Sequence, residues 1–99
     1  MLVHTVFFWL KKDLDTDQIA QFRAGVETLK EIDNAEAVYV GTAAATADRP
    51  VIDSSYDICL TVILKDIPAQ DIYQAHPIHQ EFIAKFKDFW TQVKVYDAD

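Results

Sequence analysis

Apolar and polar residues follow two different periods along the chain, and the first stretch has the pattern of a buried strand. Residues 2–10 are short, apolar and rich in aromatic and β-branched side chains, and Lys11 and Lys12 end the run. Alternation places Leu2, His4, Val6, Phe8 and Leu10 on one face of this strand, opposite Val3, Thr5, Phe7 and Trp9. Because both faces are largely apolar, we expect both to be covered.

A helical period follows this strand. Asp15 or Thr16 can act as the N-cap, and Asp17 lies in the first turn, where the helix dipole favours negative charge. The apolar residues at helical spacing are Ile19, Phe22, Val26 and Leu29. They predict one buried stripe. We expect this helix to end near Asp33 and Asn34.

The rest of the pattern predicts three strands and one interrupted helix. Pro68 is suited to the first turn of the second helix, and Pro77 must break it, because the residue before a proline avoids helical geometry. The helix resumes at Pro77 and runs to about Asp88. The strands are predicted at Glu36–Thr42, Tyr56–Leu64 and Thr91–Asp97. The order β-α-β-β-α-β predicts an α+β, ferredoxin-like fold.

The second face of this sheet predicts a partner. In a ferredoxin-like fold both helical regions cover one face, yet here the other face carries large apolar groups as well. The composition agrees, with 51% hydrophobic and 12% aromatic residues. A single domain over residues 1–99 that packs sheet on sheet as a two-fold homodimer, a dimeric α/β barrel, accounts for both observations.

Charge and composition exclude several classes of function. The net charge of −7, without a basic cluster, argues against nucleic acid and anionic membrane surfaces as partners. The apolar run is too short to span a bilayer and lacks the features of a signal peptide, so we expect a cytoplasmic protein. Cys59 is the single cysteine, which excludes an intrachain disulfide. With two glycines, Gly25 and Gly41, there is no phosphate-binding loop, and we expect no cofactor.

The candidate chemistry lies in Tyr73-Gln74-Ala75-His76-Pro77-Ile78-His79, which places a phenol and two imidazoles at a helix break. His76 is then the N-cap and His79 lies in the first turn, where the dipole disfavours the imidazolium. A neutral His79 could accept a proton, and Tyr73 could donate a hydrogen bond to a carbonyl oxygen. The pattern suits proton abstraction next to a carbonyl, with His79 and Tyr73 as catalytic residues and His76 and His4 as substrate-binding residues.

Each of these residues also has a structural interpretation. His76 can serve as a cap alone, His79 can bond a backbone carbonyl, and His4 can be a core histidine with a partner from another element. A metal site built from these three histidines would lack a carboxylate at a recognised ligand spacing, so we expect no metal. Cys59 is interpreted as a buried, inert thiol. The aromatic residues that could line a ligand pocket or pack at the core or interface are Trp9, Tyr56, Phe89 and Trp90.

Three segments together resemble the stress-responsive A/B barrel (Dabb) family. They are Val3-His4-Thr5-Val6-Phe7-Phe8, Tyr73-x-x-His76-Pro77-x-His79 and Phe89-Trp90-x-x-Val93-x-Val95-Tyr96-Asp97. The resemblance implies a dimeric α+β barrel. One family member, the plant olivetolic acid (polyketide) cyclase, closes a ring by aldol condensation without a cofactor. Its catalytic histidine, tyrosine and strand histidine fall on His79, Tyr73 and His4, whereas a second pocket tyrosine falls on Val26.

Three functions remain open on the sequence. The first is a cofactor-independent cyclase or isomerase, with His79 as general base and a small hydrophobic or carbonyl-containing substrate. The second is a non-catalytic binding or stress-protection protein in which the homodimer is the functional unit. The third is a cofactor-free monooxygenase, an interpretation that rests on likeness of fold alone.

Overall fold

The chain folds into four strands and three α-helices, and a computed structural model describes all residues from 1 to 99. A 3₁₀ turn at Thr28–Glu31 extends the first helix. The elements are β1 Leu2–Leu10, α1 Thr16–Glu27, β2 Ala37–Gly41, β3 Ile58–Leu64, α2 Ile67–Ala75, α3 Pro77–Phe86 and β4 Trp90–Ala98. The strands form one sheet in the order β2-β3-β1-β4. This is the predicted ferredoxin-like α+β fold.

The pairing of β1 with its two neighbours defines the faces of the sheet. All three strand pairs are antiparallel, and Val6 lies between Leu60 of β3 and Val95 of β4. His4 lies two residues away on the same face, between Val62 and Asp97. That face, which we call the helix face, is packed under the helices. The opposite, open face carries Val3, Thr5, Phe7 and Trp9 of β1, as the alternation predicted.

The core lies on the helix face and is dominated by aromatic rings. Phe22 of α1 is completely buried at its centre. Its ring centroid lies 5.2 to 6.3 Å from those of five other aromatic rings. These rings belong to Phe8, Phe82, Phe86, Phe89 and Trp90. Aromatic pairs at such distances add to the stabilisation gained from burial.

Two features of the first helix differ from the expectation. Its α-helical geometry ends at Glu27, and the chain continues as the 3₁₀ turn to Glu31, close to the predicted end near Asp33. Ile19, predicted to be buried, is 43% exposed because it faces a surface groove beside the ends of β2 and β3. On the sheet, Val95 lies on the helix face of the edge strand β4 and is 49% exposed.

Gly25 lets α1 pack directly against the Phe86 ring of α3. A Cβ atom built on Gly25 would lie 2.7 Å from Cζ and 2.8 Å from Cδ2 of Phe86, and closer still to Cε2. The Phe86 ring cannot easily move aside, because it packs against Phe22, Phe82 and Phe89. The glycine is therefore required for packing and not for a turn, since no residue has a positive φ.

We expect Gly25→Ala to lower the free energy of unfolding by about 1–3 kcal/mol through overpacking. We expect this loss even though alanine stabilises the interior of a helix by about 1 kcal/mol more than glycine does. Urea denaturation would measure it. The matched control is Gly41→Ala, because nothing lies within 4 Å of a Cβ atom at that position. Equal stability of the two variants would contradict the proposed close approach.

Candidate functional site

The junction of α2 and α3 places the predicted histidine motif beside the sheet. Asp66 caps α2 by accepting a hydrogen bond from the Ala69 backbone N–H, and the helix ends at Ala75. His76 is extended, as expected before proline, and its Nδ1 accepts from the Ile78 backbone N–H at 3.1 Å. The predicted capping role of His76 is thus confirmed. Pro77 then begins α3, which puts His79 in its first turn.

His4 lies beneath α2 and contacts three polar side chains. It is only 4% exposed, and its Nδ1 lies 2.5 Å from Oδ1 of Asp97 on β4. Gln70 Nε2 lies 3.1 Å from the same nitrogen, and Gln74 Nε2 lies 3.4 Å from His4 Nε2. The partners of His4 therefore come from β4 and α2, which agrees with the expected partner from another element.

The contact with Asp97 defines the tautomer of His4. A carboxylate only accepts hydrogen bonds, so His4 Nδ1 carries a proton that it donates to Asp97. In the neutral ring Nε2 is then an acceptor, which suits the Gln74 amide as donor. The Gln70 oxygen is buried without a partner. A 180° rotation of the Gln70 amide would place this oxygen beside His4 Nδ1–H, where it could accept a hydrogen bond.

Tyr73 packs edge-on against both imidazole rings. Its ring centroid lies 5.9 Å from that of His4 and 5.1 Å from that of His79. Tyr73 is fully buried, and its hydroxyl has no hydrogen-bond partner. Burial raises the pKa of this phenol, so it stays neutral and remains a donor. Of the predicted group, Tyr73 and His79 pack together, whereas the second imidazole against Tyr73 is His4 and not His76.

His79 makes no side-chain hydrogen bond. Its Nδ1 is buried without a partner, whereas Nε2 is not buried. Burial is the main cause that lowers the pKa of His79, and the neighbouring His4 lowers it further. The ring is therefore neutral near pH 7, and Nε2 can accept a proton.

A cavity of about 120 Å³ lies between the helices and the helix face of the sheet. Its polar lining consists of His4, Gln74 and His79, and the remaining wall is apolar and partly aromatic. The apolar lining residues are Val6, Phe8, Leu29, Leu60, Phe82, Ile83, Trp90, Val93 and Val95. Tyr73 and His76 do not line this cavity, so its histidines are His4 and His79.

Larger depressions on the surface lack this chemistry. A cleft of about 480 Å³ between α1 and α3 contains no histidine, tyrosine or cysteine. We therefore place the candidate site in the smaller cavity, where convergent polar groups and a shifted pKa coincide. Nowhere do three or more His, Cys, Asp or Glu side chains come together as potential metal ligands. None of the helices combines the length and apolarity needed to cross a bilayer.

Three polar residues around His4 were not identified as site residues from the sequence. Asp97 belongs to the last strand, and only the register of β4 against β1 reveals that it faces His4. Gln70 and Gln74 are four residues apart on α2 with Tyr73 between them, so they share a helix face. The spacing of these glutamines was a usable signal, whereas the strand register was not visible in the sequence.

The open face of the sheet carries a second aromatic group. Phe7 packs edge-on against Tyr56 and Tyr96, with centroids 4.9 and 6.1 Å apart. Trp9 donates from Nε1 to the Ser55 hydroxyl at 3.0 Å. These rings surround a depression of about 190 Å³ on the open face. Trp9 and Tyr56 therefore lie on the side of the sheet away from the histidines, whereas Phe89 and Trp90 pack in or against the core.

Comparisons with known proteins agree on the fold. A structure from Arabidopsis thaliana superposes with a TM-score of 0.80 at 20% identity, covering 100% of this chain and 94% of that one. A hydroxynitrile lyase from Passiflora edulis superposes with a TM-score of 0.79 at 21% identity, covering 98% of this chain and 90% of that one. A dimeric ferredoxin-like protein of unknown function from Thermobifida fusca superposes with a TM-score of 0.78 at 18% identity, covering 98% of this chain and 88% of that one. At these identities the likeness shows the fold alone.

Sequence comparison is more specific about the family. Among curated proteins, none matches this chain. The family described as the stress responsive A/B barrel domain (Dabb) matches residues 2–99. Because this match extends over β1 to β4 and includes the His4 strand and the histidine motif, the chain belongs to the stress-responsive A/B barrel family.

Proposed function

We propose that this protein is a homodimer that binds a small carbonyl-containing molecule and performs cofactor-independent acid–base chemistry on it. The observation that carries the proposal is the state of His79. Its Nε2 is unburied and makes no hydrogen bond, its Nδ1 is buried and unpartnered, and its pKa is lowered. A histidine that only stabilised the fold would be expected to use at least one ring nitrogen in a hydrogen bond.

The residues around the cavity suit proton transfer. His79 Nε2 would take a proton from the carbon next to a carbonyl, which leaves an enolate, and the resulting imidazolium would return the proton. With a hydroxy compound, His79 Nε2 would take the hydroxyl proton while the bond from that carbon to a leaving group breaks and the carbonyl forms, and the imidazolium would then protonate the leaving group. The Gln74 amide lies in the cavity wall, and its N–H is available as a donor to the substrate oxygen, where negative charge develops. Tyr73 does not line the cavity, and its buried ring packs against the His79 imidazole.

The cavity volume favours a small ligand. About 120 Å³ corresponds to the liquid volume of roughly four water molecules, well below the size of pockets for drug-sized ligands. This favours a compact aldehyde, ketone or hydroxy compound over an extended polyketide. The name of the hydroxynitrile lyase with the same fold describes lyase chemistry on a compound of such a class, which supports this choice.

Homodimer formation is part of the proposal. It is supported by the open face, where Phe7, Tyr56 and Tyr96 form an aromatic group and Tyr39 is 64% exposed. It is also supported by the Thermobifida fusca structure of the same fold, which is described as dimeric. A cytoplasmic location stays a prediction.

The test is exchange of deuterium into acetone in D₂O, followed by NMR. We expect the protein to accelerate exchange at the carbons next to the carbonyl, and His79→Gln to reduce the protein-dependent rate about 10²- to 10⁴-fold. The matched control is Glu81→Gln, an exposed change on the same helix. Circular dichroism of each variant would verify that it is folded.

The pH dependence provides a second readout. Because the pKa of His79 is lowered from 6.5, the neutral base persists below that pH, and the rate should reach half its maximum at a pH under 6.5. The rate then falls as the imidazolium forms. An unchanged rate in His79→Gln would remove His79 as the base. No acceleration by the wild type would favour the non-catalytic binding protein, and native mass spectrometry would then identify a retained ligand.

A further inference from the structure

A groove with an apolar floor and a cationic rim lies at the end of the molecule where α1 begins. It has a volume of about 420 Å³ and runs between the first half of α1 and the adjoining ends of β1, β2 and β3. It shares no lining residue with the His79 cavity. Along β1, His4 is six residues from Leu10 at the groove, or about 20 Å at the rise of a strand.

The rim concentrates positive charge in an acidic protein. Lys11, Lys12 and Arg23 line the groove, which is three of the nine basic residues in a chain of net charge −7. Neither lysine forms an ion pair, and Arg23 reaches Glu27 only at 3.8 Å. The single carboxylate in the lining is Asp57, which already accepts a hydrogen bond from the Leu10 backbone N–H at 2.7 Å.

The groove also exposes apolar surface. Ile19 is 43% exposed although its helical spacing matches that of the core residues of α1. Leu14, Ala20 and Ile58 line the same groove, and we call them together with Ile19 the apolar strip. An exposed apolar strip beside unpaired cations suits a ligand with an apolar body and a negative end.

The N-terminus of α1 does not account for the groove. Asp15 caps this helix by accepting from the Gln18 backbone N–H at 2.8 Å, and Gln18 completes the capping box. The carboxylate of Asp15 therefore already occupies the position that an anion would take at the helix end. A bound anion would be held by the lysine and arginine side chains.

We propose that this groove binds an amphipathic monocarboxylate. The carboxylate group would lie among Lys11, Lys12 and Arg23, and its alkyl or aryl body would pack against the apolar strip. Because Arg23 is shared with Glu27 at 3.8 Å, Lys11 and Lys12 opposed by Asp57 leave a net charge of about +1, which suits one negative charge. This proposal does not depend on the chemistry of His79, because the two sites share no residue.

The test is NMR titration of the ¹⁵N-labelled protein with sodium decanoate, decanol and sodium sulfate. We expect saturable shifts from decanoate in residues 10–23 and 57–58, weaker binding of decanol, and no saturable response to sulfate. Affinity for decanoate should fall as salt is added, because exposed charges are screened.

Variants identify the groups responsible. The double variant Lys11→Gln/Lys12→Gln should weaken decanoate binding by roughly three- to thirtyfold, as expected for the loss of two exposed ion pairs. The matched control is Lys65→Gln, an exposed lysine at the opposite end of β3, which should bind decanoate like the wild type. Three results would each overturn the proposal: shifts centred on the His79 cavity, equal affinity for decanol and decanoate, or equal weakening by Lys65→Gln. The absence of any saturable shift would overturn it as well.

Discussion

Phe22→Ala is expected to lower the free energy of unfolding by about 3–5 kcal/mol, the range found when a buried phenylalanine is truncated. Phe22 is completely buried and contacts five aromatic rings from β1, α3, the segment before β4 and the first residue of β4. Alanine would leave a cavity that these large rings cannot collapse to fill. The loss is comparable with the whole stability of many small domains, so the variant should melt far earlier or fail to fold.

The matched control for Phe22 lies one turn earlier on the same helix. Ile19→Ala removes an apolar side chain that is 43% exposed, so we expect a loss below about 1 kcal/mol, partly offset by the higher helix propensity of alanine. Urea denaturation of both variants at one protein concentration would measure the difference. Similar losses at both positions would contradict the described burial of α1.

Thr5→Asp is expected to convert the proposed dimer into a folded monomer. Thr5 lies near the middle of the open face, between Thr61 of β3 and Tyr96 of β4. Packing two sheets together would bury this carboxylate without a cation, and two-fold symmetry would bury a second one. Each unpaired buried charge costs several kcal/mol, which is enough to raise the dissociation constant by more than about a thousandfold.

Analytical ultracentrifugation at micromolar concentration would detect the change in mass, and circular dichroism would verify the fold. Val51→Asp is the matched control, since Val51 is 81% exposed in the loop between β2 and β3 and gains the same charge. We expect that control to remain dimeric. A dimer that survives Thr5→Asp would mean that the two copies do not meet through the centre of the open face.

The order of the elements was predictable because the signals that set it are local. The aromatic and β-branched residues 2–10 identified β1, and Pro77 fixed the break between α2 and α3 whatever lay around it. The capping role of His76 follows from the same proline, since the residue before it is extended. The alternation along β1 also predicted that His4 would be buried on one face.

The remaining features depend on how distant segments meet. Asp97 faces His4 only because β4 pairs with β1 in one particular register, which alternation along either strand cannot specify. Ile19 has the spacing of a core residue, yet it lines a groove beside the ends of the strands and stays 43% exposed. The sequence motif identified His76 and His79 together as candidate site residues. Only the structure shows that His79 lines the cavity whereas His76 caps α3.

The proline break between α2 and α3 links the candidate site to folding. The two helices have nine and ten residues, which is shorter than the length at which isolated helices persist in water. Each is held in place by packing against the sheet, so Gln74 and His79 adopt their positions only after docking. A molecule that bridges them would therefore slow the local opening of both helices, and amide hydrogen exchange in this pair would report occupancy of the cavity without knowledge of the reaction.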